Sequence, residues 1–179
     1  MLLVLASAGP ALADDPPAHV VPFLGEGAEN VRVATGAFGP AKETSIVVSW
    51  NMMGRGTFES FALVPDARAR NGYRKLALPR FPQPANDGES QLALTANLDK
   101  DPADEVVLAV HVQKGVQSKL GGYTYSTWEY VVLDWDGKQF VRLPVIEKKL
   151  DARMKAREGD TSALLTDGDL RGALGLGRK

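Results

Sequence analysis

The sequence predicts an all-β fold: two duplicated antiparallel meander (blade-like) units packed together, with a short C-terminal helical tail. Three observations carry this expectation. Short β-branched runs recur in matching surroundings, Ile46-Val47-Val48 and Val106-Val107-Leu108. The stretch from Val33 to Trp50 sets over Ala93 to Val110 without a gap, and Phe61-Ala62-Leu63-Val64 then matches Tyr130-Val131-Val132-Leu133. Asn71-Gly72 and Asp136-Gly137 occupy the same place in the two copies, each between strand-like runs, which is a hairpin signal.

The elements follow in chain order. Residues 1–13 combine the apolar run Leu2 to Ala8, a Gly9-Pro10 break and Ala11-Leu12-Ala13, an A-x-A cleavage signature. This is the layout of a secretory signal peptide with cleavage expected after Ala13, except that no Lys or Arg precedes the run. The run is well short of the roughly 20 apolar residues a membrane-spanning helix needs. Residues 14–27, rich in Pro, Gly and acid, read as a leader with one anchoring cluster, Val20, Val21, Phe23 and Leu24. The duplicated β domain covers 28–146, with copies over about 31–79 and 91–146. Its central runs, Ile46 to Trp50 and Val106 to Val112, are nearly continuously apolar and too short for buried helices. They are expected as central strands with both faces partly covered. Pro79 to Glu89, with three prolines and an Asn-Asp-Gly, reads as a linker between the copies.

The tail, 147–179, is expected to be helical. Ile146, Leu150 and Met154 recur every four residues and line one helix face, leaving Lys148, Lys149, Arg153, Lys155 and Arg157 to water. Thr166-Asp167-Gly168-Asp169 resembles a capping box at the start of a second short helix carrying Leu170 and Leu174. An incomplete strand array leaves edges to protect, and the C-terminal helix is the expected cover within the chain.

Composition removes several function classes. The chain has 179 residues, no cysteine, and a net charge of -1. Disulfides, thiol catalysis and Cys-based metal sites are therefore excluded, and no global charge draws the chain to nucleic acid. The two histidines, His19 and His111, lack metal-ligand spacing, and no G-x-S-x-G, phosphate-binding loop or H-E-x-x-H motif occurs. The sequence is thus expected to be non-catalytic.

The second copy carries a family resemblance. Asn97-Leu98-Asp99-Lys100-Asp101-Pro102-Ala103-Asp104-Glu105-Val106-Val107 resembles the acidic loop and strand of FG-GAP/VCBS-type repeats, the blades of integrin-like β-propellers. The hairpin from Val132 to Phe140 is similar to the later hairpin of such blades. The likeness covers roughly residues 30–145, with the acids in the second copy only. It implies blade topology and a Ca²⁺ held by Asn97, Asp99, Asp101 and Glu105, with a carbonyl near Ala103. Alternating oxygen ligands in a tight loop suit Ca²⁺, which takes six to eight oxygens at about 2.3–2.6 Å. Pro102 stands where the family has Gly, and Asn97 where it has Asp; both weaken the site. The same loop also reads as a plain turn whose carboxylates cap backbone N–H groups. The matching stretch Ala37 to Ser45 has Glu43 as its one acid, and no ion is expected there.

Tyr123, Tyr125 and Trp128 form a second candidate surface after the Gly121-Gly122 turn, able to stack on a sugar or a peptide if exposed. In the other reading, Trp128, Tyr130 and Val132 are the inner face of a sheet. The expectation is an exported, periplasmic or secreted binding or scaffolding module, steadied by one Ca²⁺. It would have a protein or polysaccharide partner in the envelope, or further copies of itself in an oligomer, with no nucleic acid and no transmembrane segment. The alternative is a carbohydrate-binding or carbohydrate-acting protein using the Tyr/Trp loop.

Overall fold

The computed structural model describes residues 15–51, 57–82, 84–85, 89–98, 101–118, 121–156 and 163–177. The signal-like run 1–13, Asp99 and Arg157 lie outside them. The strands are β1 (Ala28–Gly36), β2 (Thr44–Asn51), β3 (Thr57–Pro65), β4 (Tyr73–Ala77), β5 (Ser90–Ala96), β6 (Glu105–Ser118), β7 (Gly121–Trp135) and β8 (Phe140–Arg142). Two helices follow, α1 (Pro144–Lys155) and α2 (Asp167–Leu174). The strands form two four-stranded antiparallel sheets, in the order β1-β2-β3-β4 and β5-β6-β7-β8. Both units are therefore simple meanders with the same strand order.

Pairing registers refine the repeat. Val33 pairs with Val47, and its counterpart opposite Val107 is Leu94 rather than Ala93. A register break between Leu92 and Leu94 absorbs the extra residue. Ile46 opposes Ala62, whereas Val106 opposes Leu133, two residues beyond the linear match at Val131. A slip of two keeps every side chain on its face; a slip of one would have turned the strand inside out.

The alternation sorts apolar residues into three layers. Ile46, Val48 and Ala62 of the first sheet meet Val106, Leu108 and Val131 of the second, with Phe38 and Phe140 in the same core. On the far side of the first sheet, Val47, Phe61 and Leu63 pack under Val20, Phe23 and Leu24 of the leader. On the far side of the second, Val107, Tyr130 and Val132 pack under Leu150, Met154, Leu165 and Leu170. The central strands are thus covered on both faces, as their unbroken apolarity predicts.

Several expectations need correction. The helical tail covers mainly a sheet face, where the apolar stripe of α1 matches the plane of Tyr130 and Val132, and it reaches a strand edge only through Glu147 in its first turn. Helix α1 begins at Pro144, upstream of residue 147, because proline's fixed φ and missing N–H suit a helix's first turn. In the leader cluster Val21 is exposed, since the short 3₁₀ turn Val21–Phe23 points it outward while Val20 is fully buried. Asn71-Gly72 is not a two-residue hairpin. It closes a longer loop between Pro65 and Tyr73, in which the Asp66 N–H donates to the Gly72 carbonyl at 2.8 Å and Gly72 takes φ 73°. The linker, too, is partly built in. Phe81 joins the central core beside Phe58, and the Ala85 N–H donates to the His111 carbonyl.

Two polar contacts fasten the helices. The Leu165 N–H donates to the buried Tyr130 hydroxyl at 2.9 Å. Where β8 leaves the sheet, Glu147 takes its place: Oε1 accepts from the Val132 N–H at 3.1 Å and from Arg142 Nε at 2.8 Å, while Oε2 accepts from Arg142 Nη2 at 2.7 Å. The carboxylate thus finishes the strand edge and holds a forked guanidinium. This contact, largest through its hydrogen bond, raises the Arg142 pKa against the opposing effect of burial. Replacing Glu147 with Ala leaves a buried N–H and a half-buried cation without this acceptor, and is expected to cost roughly 3 kcal/mol. Glu147→Gln retains one acceptor and should lose less. Urea denaturation of the three proteins checks the order.

Candidate metal centre

The loop from β5 into β6 is braced by its own side chains. Asn97 Nδ2 donates to the carbonyl of Asp101 and, at 2.9 Å, to that of Ala103. The Ala103 N–H donates to Asp101 Oδ1 at 2.7 Å, and the Leu98 N–H donates to Glu105 Oε2. These are the backbone-capping contacts of the plain-turn reading. They also fix where the carboxylates point.

Carboxylate oxygens of Asp101, Glu105 and Asp134 lie within 4.8 Å of one another. Glu105 and Asp134 are buried, and Asp101 is half-buried. This acidic triad could hold a metal ion. Two oxygens on one Ca²⁺ shell are at most about 5 Å apart, so the spacing fits. At an effective dielectric near 20, ionised carboxylates at this distance repel by roughly 3 kcal/mol a pair. A cation relieves that cost, and the donor set, all hard oxygen, suits a hard ion.

Of the four ligands expected from sequence, the structure brings Asp101 and Glu105 together. Asn97 stands beside them, its amide nitrogen committed to the loop. Asp99 lies outside the described residues. Asp134 was missed. It follows Leu133, the partner of Val106, and so comes close to Glu105, the first residue of β6. A signal existed in the alternation Trp128, Tyr130, Val132, Asp134, which puts an acid at the end of a buried face.

The repeat shows why the first unit lacks this cluster. Ser45 and Leu63 are paired at the end where the second unit brings Glu105 and Asp134 together. The Ser45 hydroxyl is within hydrogen-bond distance of His19 Nε2 at 3.0 Å and of Thr35 Oγ1 at 2.9 Å, while Glu43 is exposed. The matching loops of the two units meet, and the Asp104 N–H donates to the Ala37 carbonyl at 3.0 Å. Beside this contact lies an open cleft of about 670 Å³, walled by Ala37 and Gly39 to Lys42, Asp101 to Ala103, and Asp134 to Gly137.

The aromatic candidates are split. Tyr125 is 39% exposed, but Trp128 is only 6% exposed, packed with Tyr130 under the helices and lying 5.0 Å from the His111 ring. Alternation sends Trp128 to the covered face, so Tyr125 and Trp128 do not form one surface platform. The side chain of Tyr123 is outside the described residues. Of the basic run, Lys148 and Lys149 face water, while Arg153 is paired with Asp169 of α2 at 2.6 Å.

No protein-family model, no curated protein and no solved structure matches this chain.

Asp151 on α1 is a second electrostatic feature. Burial, and then the negative Glu129, push its pKa above the usual 3.8, against the attraction of Lys114 and Lys155. Lys114 is itself paired with Glu129 at 2.6 Å. A carboxyl whose pKa is raised by folding is stabilising when protonated, and that benefit is lost as pH rises through the folded pKa. Asp151→Asn should therefore raise the melting temperature at pH 7, by roughly 1–3 °C. The gain should vanish below the ordinary aspartate pKa of 3.8, where both proteins are neutral at this position. Thermal melts across pH 3–7, a range chosen to bracket about one unit below that pKa, check the sign.

Proposed function

We propose that the chain is an exported, non-catalytic binding or scaffolding module whose second unit is steadied by one Ca²⁺. The observation that carries this reading is the convergence of Asp101, Glu105 and Asp134 from a loop, the start of β6 and the end of β7. Asp101, Glu105 and Asp134 would hold the ion, with Asn97 bracing the loop and Asp99 as the family resemblance implies. When bound, the ion supplies positive charge and ties three chain segments together. The cleft that Asp101 and Asp134 border is the surface such a tie would shape for a partner. The FG-GAP/VCBS resemblance of the loop supports the choice of Ca²⁺ over other hard cations. Export is supported by the signal-like run 1–13 with its Ala11-Leu12-Ala13 ending.

Calcium titration of the melting temperature tests the ion. Wild type should gain stability at millimolar Ca²⁺, by about 2.7 kcal/mol at a hundredfold excess over the dissociation constant. The gain should disappear with chelator. Asp134→Asn should be more stable than calcium-free wild type, because a repulsion is gone, and should no longer respond to Ca²⁺. An unchanged melting temperature for wild type at several millimolar Ca²⁺, on the weak extracellular scale of roughly 10⁻⁴–10⁻³ M, would reduce the triad to a turn. Export has its own test: intact mass of protein recovered from its native host should begin at Asp14. Full-length cytoplasmic protein would remove that part of the reading.

A further inference from the structure

Strands β6 and β7 outrun the rest of their sheet. β5 pairs with β6 only as far as Ser90 and Val110, after which Glu89 and Ala85 engage the backbone of His111. β8 pairs with β7 only over Leu133 to Trp135. The next outward groups, on Val132, are taken by the Leu143 N–H and the Glu147 carboxylate. From Val112 and Thr127 to Ser118 and Gly121, β6 and β7 pair with each other. Among the described residues, the result is a two-stranded arm extending past the pairing of β5 and β8.

The direction of the backbone groups follows from register. Val132 turns its N–H and C=O away from β6. The β6–β7 register runs unbroken from there to Gly121. Alternation then puts the N–H and C=O of Gly122, Thr124 and Ser126 on the same outer edge. Thr124 and Tyr125 are exposed.

Exposed edges are ordinarily blunted by charge, proline or irregular pairing. β1 carries Glu29, Arg32 and a register break. β4 carries Arg74 and Lys75 and is followed by Pro79. β5 lies beside β1 of the other sheet, and β8 is three residues long. From Gly121 to Trp128, β7 has neither a charge nor a proline.

We propose that this outer edge of β7 pairs antiparallel with the same edge of a second copy, about a two-fold axis at Thr124. Such a contact is self-complementary and closed, so it makes a dimer rather than a fibre. It sets like residues against like, which a charged edge would oppose and this neutral one does not. Around Thr124, the register places small Gly122 opposite small Ser126. It places Tyr125 opposite position 123. A foreign strand captured at an edge is read by pockets for its alternate side chains. The cleft beside the acids and the one lined by Leu76 to Pro79 and Trp135 with Lys138 to Arg142 both lie away from the arm.

Sedimentation velocity of the full chain tests this. Wild type should be dimeric in the range of roughly 10–100 μM. Thr124→Lys and Thr124→Glu each set like charges across the axis and should be monomeric. An equimolar mixture of the two should recover the dimer, as a heterodimer. Because Thr124 is exposed, both variants should keep the wild-type far-ultraviolet circular dichroism. In wild type alone, hydrogen exchange at the Gly122, Thr124 and Ser126 amides should slow as concentration rises. A wild-type monomer at about 100 μM overturns the proposal. So does a dimer that survives either substitution, or a mixture that stays monomeric.

Discussion

Both sheets of this protein are apolar on both faces, and most of the architecture follows from that constraint. A four-stranded meander with one wet face would need a partner on one side only. Here Val47 and Phe61 look one way while Ile46 and Ala62 look the other. The second unit repeats the problem with Val107 and Tyr130 against Val106 and Val131. Packing the two sheets together covers one face of each. The remaining faces are closed by what the chain has at its two ends, the leader and the helical tail. Neither end segment is an appendage, because without either a plane of valine, leucine and aromatic side chains would meet water.

The same economy limits further blades. In a propeller or a solenoid each unit's outer face is covered by the next unit. In this chain that role is filled by Val20, Phe23 and Leu24 on one side and by Leu150, Met154 and Leu170 on the other. Stacking another blade would require peeling one of these covers away. Tyr130 and Glu147 oppose that on the second sheet, each accepting a backbone N–H that the cover or the strand edge would otherwise leave exposed to burial. Growth through a strand edge asks for no such removal, and the arm of β6 and β7 is where the edge is long and uncharged.

Divergence between the copies is concentrated at one pair of positions. Ser45 and Leu63 close the first unit with a small hydroxyl and an apolar side chain, and the leader's His19 reaches that hydroxyl. The second unit sets Glu105 and Asp134 at the same place and adds Asp101 from the preceding loop. One repeat has spent this end on packing the leader. The other has gathered three carboxyl groups there, an all-oxygen donor set that could hold a cation.

Much of this was legible in residue order. The matched β-branched runs determined the strand order of both units, because alternation and turn chemistry act over a few residues and leave periodic marks. The spacing of Ile146, Leu150 and Met154 determined a helix with one apolar face, and Thr166 with Asp169 its successor's cap, by the same local logic. Tertiary structure decided what those local signals leave open. A bulge at Leu92 to Leu94 and a two-residue slip in β7 changed which residues face each other without changing any pattern. Trp128 was assigned to a covered face only when the helices folded over it. Asp134 joined Asp101 and Glu105 only through pairing of β6 with β7, a long-range contact that no spacing along the loop encodes. Local propensity determines which elements form; which side chains meet is decided by register and by what covers each face, and both depend on residues far apart in the chain.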